Sequence, residues 1–325
     1  MFNQTILEIK NLTVSFKIEN SRSKAVDNLS FKLYKGEVLG VVGESGSGKT
    51  VSALSILKLI PSPVGKIEAG EILFKDRDVL KMSDLDVQAV RGRDIAMIFQ
   101  EPMTSLNPLL KIKTQMTEVL ITHNNYSFKK ALKISIDALK LLSIDNPEKR
   151  INEYPHSFSG GMRQRVMIAM ALLANPSVLI ADEPTTALDV TIQAEIFNQF
   201  KSLRENKKEL GIVLITHNLA LVIKNCDRLV IMYGGKIQEE ALVKDFFKEP
   251  LHPYSKGLLN SLPSTKTDKN KLIPIPGSVP DIRNMPEGCK FWPRCSSVMS
   301  KCKIVEPELL TVSHNRSVRC HLFNE

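Results

Sequence analysis

Apolar and β-branched residues recur at strand spacing through the first forty or so positions, in LEIKNLTVSF (7–16), AVDNLSFKL (25–33) and EVLGVVG (37–43). That pattern predicts a β-rich opening. The third run leads straight into a glycine- and serine-rich stretch and then into KTVSALSILKLI (49–60), whose apolar positions fall at helical spacing. The order is strand, tight loop, helix. Two further apolar runs, SVLIAD (177–182) and GIVLITH (211–217), read as strands buried on both faces. Strands separated by helical segments predict an α/β fold in which helices cover a parallel sheet.

Between Thr104 and about Ala174 the pattern is helical only, with an amphipathic stretch from Phe128 to Leu142. We read it as an α-helical subdomain inserted into the α/β core. From Pro250 to Pro293 there are eight prolines, with IPIPGSVPD at the centre, so little regular structure is expected there. The division predicted is a main domain over 1–250 and an irregular, cysteine-bearing C-terminal extension over 251–325.

Composition changes this picture only at a few points. A chain of 325 residues that is 43% hydrophobic has room for one large domain with an appendage. The opening MFNQTILEIK has neither the basic start nor the apolar stretch of a secretion signal. The longest apolar run, Val166 to Ala174, is too short to span a bilayer, so a membrane role is expected to come through partners. A net charge of +9 fits a solvated lysine-rich surface, an anionic membrane face or nucleic acid. No nucleic-acid recognition motif accompanies it, and nucleic acid is not expected as a partner.

The chemistry concentrates in two places. Gly43-Glu44-Ser45-Gly46-Ser47-Gly48-Lys49-Thr50 fits G-x-x-x-x-G-K-[ST] between a strand and a helix. Its glycines let the backbone approach a β-phosphate, its amides and the helix N-terminus face the anion, Lys49 offsets β/γ charge, and Thr50 is placed to ligate Mg²⁺. Downstream, the run 178–181 ends in Asp182-Glu183. Carboxylates at the C-terminal end of a parallel strand lie where ligands bind in such sheets. Asp182 would hold Mg²⁺ through water, and Glu183 would polarise an attacking water.

With these in place, Phe158-Ser159-Gly160-Gly161-Met162-Arg163-Gln164 resembles the LSGGQ signature of ABC-type ATPases, departing at Phe158 and Met162. Ser159 is a good N-cap for the helix that follows, turning its amides outward as an anion site. The resemblance implies that Ser159, Gly160 and Gly161 complete the ATP pocket of an opposite subunit. Gln100, 51 residues after Lys49, looks like the Q-loop glutamine at the end of a strand IAMIFQ and a further Mg²⁺ ligand. Thr186-Ala187-Leu188-Asp189 resembles the D-loop, whose Asp189 faces the nucleotide pocket. His217, 34 residues after Glu183, looks like the switch histidine, holding γ-phosphate, water and Glu183 in line. Phe16 would stack on adenine. The fold implied is a P-loop NTPase core of the ABC type, working with ATP and Mg²⁺.

Within that family the chain resembles the ATPase subunits of oligopeptide/dipeptide permeases and their nickel-importing relatives. The carrying residues are Gln100 to Pro108, Leu251-His252-Pro253-Tyr254-Ser255, Ile275-Pro276-Gly277-Ser278-Val279-Pro280 and Cys289-Lys290-Phe291-Trp292-Pro293-Arg294-Cys295. The likeness implies an importer with two membrane permease subunits, a second ATPase (paralogue or self) and an external solute-binding protein, this chain lying peripherally on the cytoplasmic face. The loop after Gln100, bracketed by Pro102 and Pro108, would dock the membrane partner. Cys289, Cys295, Cys302 and Cys320, separated by five, six and seventeen residues, suit zinc or an iron–sulfur cluster, or remain free thiols. They lack the Cys-x₂-Cys pairs of common zinc folds, and the resemblance implies [4Fe–4S] as the better candidate. Cys226 reads as a buried apolar residue. Two other classes are possible for such motifs. An ABC ATPase acting on ribosomes or DNA ordinarily carries two ATPase units or a long coiled coil, and neither is present. A non-hydrolysing regulatory module would not need Glu183 and His217.

Overall fold

The computed structural model describes residues 4–19, 21–100, 105–185, 190–262 and 274–323. The chain forms two compact units, one combining Met1–Ile6, Tyr34–Gly36 and Lys81–Val213, the other Leu7–Leu33, Glu37–Leu80 and Leu214–Glu325.

In the second unit the opening strands form as their pattern predicts. They are β1 (Thr5–Ile18), β2 (Ser21–Tyr34) and β3 (Val38–Val42), the last buried at every position. Helix α1 (Lys49–Ile56) ends four residues before the helical pattern does. Lys58 turns into the left-handed region at φ +50°, and the amides of Lys58 and Leu59 close back on the carbonyls of Ser55 and Leu54. That reverse turn satisfies the helix's last carbonyls and stops it. Next come β4 (Gly65–Phe74) and β5 (Arg77–Asp78), which complete a four-stranded antiparallel sheet in the order β2-β1-β4-β5. Phe16 stands opposite Gly65 in its register.

The first unit opens its α/β part with α2 (Asp84–Val90) and β6 (Ile95–Ile98), followed by α3 (Ile112–Asn124), α4 (Phe128–Leu141) and the single-turn α5 (Pro147–Arg150). Ser127 caps α4 by accepting the Lys130 amide at 3.4 Å. The amphipathic face of α4 buries Ala131, Ser135 and Leu139, while Phe128 and Leu141 at its ends are exposed. Helix α6 (Gly160–Leu173) packs Val166, Ile168 and Ala169 inward, and β7 (Val178–Asp182) runs parallel to β6 with Ile95 opposite Val178 and Ile98 opposite Ala181. Helix α7 (Val190–Asn206) follows.

Strand β8 (Gly211–Thr216) passes from the first unit into the second. There α8 (Leu219–Asn225), β9 (Arg228–Tyr233), β10 (Lys236–Leu242), α9 (Val243–Lys248) and α10 (Pro253–Asn260) follow. β9 lies parallel to β3, with Leu39 opposite Arg228 and Val42 opposite Ile231, and turns at Gly234-Gly235 into antiparallel β10. The extension ends in a hairpin, β11 (Leu310–Ser313) and β12 (Arg316–Val318), and β12 adds to β10 with Val318 opposite Glu239. That hairpin lies beyond the proline-rich stretch, in which the described residues form one α-helix, α10, and short 3₁₀ turns. Pro253 occupies the first turn of α10, where its missing N–H leaves nothing unsatisfied, and so starts a helix instead of preventing one. Cys226 is only half-buried, its Sγ beside Gly40.

Among the described residues no helix is long and apolar enough to cross a membrane.

Candidate functional site

Fully buried β3 delivers the chain to Gly43. A Cβ on Gly43 would lie 2.2 Å from the Met232 carbonyl oxygen, and one on Gly48, at φ +97°, would lie 2.5 Å from that of Ala25. Only glycine fits either position. Ser45 and Gly46 form the exposed tip, while Ser47 is buried and accepts the Gly235 amide at 3.2 Å, so the β9–β10 turn backs the loop. Lys49 is 6% exposed and donates from Nζ to the carbonyls of Gly43 (2.7 Å) and Glu44 (2.9 Å). The loop thus wraps around one ammonium group. Gly48 caps α1 without a side-chain hydrogen bond, so the helix offers its first amides to an anion. Thr50, half-buried, follows Lys49 in the first turn.

Two other expected residues belong to this unit. Phe16 is half-buried on β1 beside Gly65. His217 follows the last residue of β8 directly and is exposed, and Asn218 beside it caps α8 by accepting the Ala220 amide at 3.0 Å.

The remaining expected residues lie in the first unit. β6 ends at Ile98, two residues short of Gln100, so Gln100 stands beyond the strand and not at its last position. Because β6 and β7 are in parallel register, Gln100 and Glu183 leave the same end of the sheet two residues past paired Ile98 and Ala181. Gln100 Nε2 donates to Glu183 Oε2 at 3.3 Å. Asp182, the last residue of β7, is 1% exposed. Glu183 sits at φ +46°, a left-handed conformation costing an ordinary side chain about 1–2 kcal/mol. Such strain persists where the surroundings impose it, and it concentrates at functional sites. Gln164, buried at 1%, donates from Nε2 to the carbonyl of Pro184, the residue after Glu183. The Thr185 carbonyl is likewise taken by Gln193 Nε2 at 2.9 Å.

Ser159 caps α6 as its residue type suggests, accepting the Met162 amide at 3.3 Å. A Cβ on Gly160 would meet nothing within 4 Å, so this helix end is open. Phe158 in place of leucine is 2% exposed and packs inward, which leaves the hydroxyl and glycines of the motif unaffected. Asp189 and the rest of Thr186–Asp189 lie outside the described residues, as do Glu101 to Thr104 of the expected docking loop.

Arg294 and Tyr254, neither of them suggested by the phosphate-loop pattern, also reach this loop. The Arg294 guanidinium grips the Glu44 carboxylate with both terminal nitrogens, at 2.6 and 3.0 Å, and the Glu44 amide donates to the Tyr254 hydroxyl at 3.0 Å. The nearest signal was the place of Tyr254 and Arg294 inside the extension's own motifs, 251–255 and 289–295.

In the extension Cys289, Cys302 and Cys320 are buried and Cys295 half-buried. Burial pushes the Cys289 thiol up to about 11, and it raises Cys295 and Cys320 as well; the neighbouring thiols act on one another in the same direction. Four sulfurs gathered in an apolar setting have the chemistry of a soft-metal site. In the arrangement described, however, no three His, Cys, Asp or Glu side chains among the described residues are set to hold a metal ion. The donors fit a cluster in kind, and their present spacing does not. The second unit offers the Thr50 hydroxyl, and the first the Gln100 amide oxygen and the buried Asp182 carboxylate; each is by itself a hard oxygen donor of the kind Mg²⁺ takes.

Residues 26–186 match the family model described as ABC transporter, and residues 238–302 match the one described as oligopeptide/dipeptide transporter, C-terminal region. The chain is 49% identical to the oligopeptide transport ATP-binding protein AppD of Bacillus subtilis (strain 168), over 99% of this chain and 98% of that one. It is 46% identical to the dipeptide transport ATP-binding protein DppD of the same organism, over 98% and 95% of the two chains. Among solved structures it resembles the dimeric ATP-binding cassette MJ0796, captured after hydrolysis with ADP and phosphate, at TM-score 0.66 and 27% identity over 73% of this chain and 98% of the cassette.

Proposed function

The chain belongs to the ABC transporter ATPases, in their oligopeptide/dipeptide branch, and from that premise we propose that it hydrolyses ATP in its own phosphate-loop site to power import of short peptides through partner membrane subunits. The observation that carries the hydrolytic part is the Gln100–Glu183 contact at the shared end of β6 and β7, made while Glu183 is held in a strained backbone conformation. A carboxylate so fixed suits a general base toward water.

In this reading ATP lies on Gly43 to Thr50 with its adenine on Phe16. Lys49 would offset β/γ charge, and Thr50, Asp182 and Gln100 would hold Mg²⁺, which would supply positive charge against the phosphates. The partner ATPase closes the pocket with its own signature segment, while Ser159, Gly160 and Gly161 of this chain close the partner's. Glu183 takes the proton of the attacking water, His217 holds water and γ-phosphate in line, and Asp189 of the D-loop adds to the nucleotide pocket. Two permease subunits would receive the movement at the cytoplasmic face, and an external binding protein would supply the cargo. The curated relatives' names support peptides as that cargo, with metal complexes the alternative. The test is to purify the chain co-expressed with its permease subunits and second ATPase and to measure hydrolysis with peptide-loaded binding protein. Stimulation by the loaded protein is expected, and hydrolysis indifferent to it in every pairing would count against the proposal.

Cys289, Cys295, Cys302 and Cys320 are assigned as ligands of a [4Fe–4S] cluster that would cross-link the tail. Support comes from the gathering of four buried or half-buried sulfurs, although as they stand no three of them are set to hold a metal ion. Protein prepared without oxygen is expected to carry iron and acid-labile sulfide, lost in Cys302→Ser. Four titratable thiols with no bound iron, or stoichiometric zinc, would remove this assignment.

A further inference from the structure

We propose that the C-terminal extension positions the phosphate loop, Arg294 and Tyr254 acting together through Glu44 to set the affinity for nucleotide. This rests on the reading of Gly43 to Thr50 as the ATP loop. Two segments of the extension converge on that one residue, and a third braces one of them. Arg294, its side chain 4% exposed, forms the paired contact to the Glu44 carboxylate and donates from Nε to the Pro276 carbonyl at 2.8 Å. Tyr254 accepts the Glu44 amide. The rings of Tyr233, Tyr254 and Phe291 pack mutually, with centroids 4.8 to 5.3 Å apart, and the guanidinium lies over Tyr233.

Tyr254 is itself held in place. Buried Glu239 accepts the amides of Leu251 (3.0 and 3.1 Å) and His252 (2.9 Å), and His252 Nδ1 accepts the amide of Tyr254 at 3.0 Å. Burial keeps the His252 ring neutral, its pKa lowered to about 3, so Nδ1 remains an acceptor. The chain of contacts runs from Glu239 through His252 and Tyr254 to the loop.

The physical need is plain. Glu44 adds a negative charge to a loop that must accept a polyphosphate, and repulsion between them grows as water leaves. A bidentate guanidinium offsets that charge and fixes its direction. Meanwhile Tyr254 fixes the Glu44 amide, and the adjacent Glu44 carbonyl takes Lys49. Both are positioning residues, since neither stands among the groups assigned to the phosphates.

The experiment compares wild type, Arg294→Ala, Arg294→Lys, Tyr254→Phe and Glu44→Gln/Arg294→Ala in the assembled complex. It measures equilibrium binding of ATP and ADP, and kcat at saturating ATP. Arg294→Ala should weaken both nucleotides about tenfold, with kcat kept within about twofold. Glu44→Gln added to it should restore most of the loss by removing the uncompensated charge. Arg294→Lys should fall between the two. Tyr254→Phe keeps the ring packing and should weaken binding severalfold, so it reads the same coupling should Arg294→Ala not fold. Unchanged affinity in Arg294→Lys and Tyr254→Phe, or a Glu44→Gln change that merely adds to the Arg294→Ala loss, would overturn the inference. A wild type that binds no ATP would overturn the phosphate-loop reading and this inference with it.

Discussion

Replacing Glu183 by glutamine is expected to lower ATP turnover of the assembled complex about 10²–10³-fold, with ATP binding retained. Glutamine matches the size of the carboxylate and can still meet Gln100, 3.3 Å away. It cannot take the proton of the attacking water. Because the nucleotide's contacts are assigned to other residues, binding energy is untouched and the ATP-bound pair of cassettes should accumulate. Single-turnover hydrolysis with labelled ATP, read beside nucleotide-dependent dimerisation by light scattering, checks both halves. Undiminished turnover would mean that the base is misassigned or that hydrolysis occurs only in the partner's site. Loss of turnover together with loss of binding would mean that Glu183 supports the fold of the site.

A second large effect is expected at Lys49. Its ammonium is nearly buried and tied to the Gly43 and Glu44 carbonyls. Lys49→Ala should cost about 10²-fold or more in turnover and, unlike the Glu183 change, should weaken ATP as well. Charge-assisted hydrogen bonds contribute about 1.5–3 kcal/mol each, so loss of about one order of magnitude or more in ATP affinity is expected by calorimetry. The contrast is diagnostic: one substitution traps ATP and the other fails to hold it. Equal ATP affinity in Lys49→Ala and wild type would take Lys49 out of the phosphate site.

The placement of these residues was legible because local pattern alone predicts it. β3 and β7 are short, continuous apolar runs that end in a glycine loop and an acidic pair, and the structure reproduces both strands to within a residue. Ser159 caps a helix for reasons contained in a few neighbouring positions. What escaped notice depends on partners distant in sequence. β10 reads KIQEEAL, yet Gln238 and Glu239 are buried at 1% and 0%. No alternation of apolar and polar residues reveals such a strand. Its charges are tolerated because Glu239 takes two backbone amides, and because Glu240 meets Arg228, which is itself paired with Glu37 at 2.8 Å. In the extension, proline density suggested sparse regular structure over 250–293, and the described residues there hold one α-helix, which Pro253 starts; the pairing of β12 with β10 further on left no local signal. The Arg294–Glu44 contact spans 250 positions, and nothing short-range in the sequence connects them.

ATP hydrolysed on this chain is expected to drive import. The most direct measurement is uptake of a labelled tripeptide into proteoliposomes holding this chain, its permease subunits and its ATPase partner, with ATP enclosed on the cassette side and binding protein outside. Uptake that requires enclosed ATP and disappears in Glu183→Gln is the predicted result. Uptake at the wild-type rate in Glu183→Gln, or none with ATP hydrolysis intact across a series of short peptides, would contradict it.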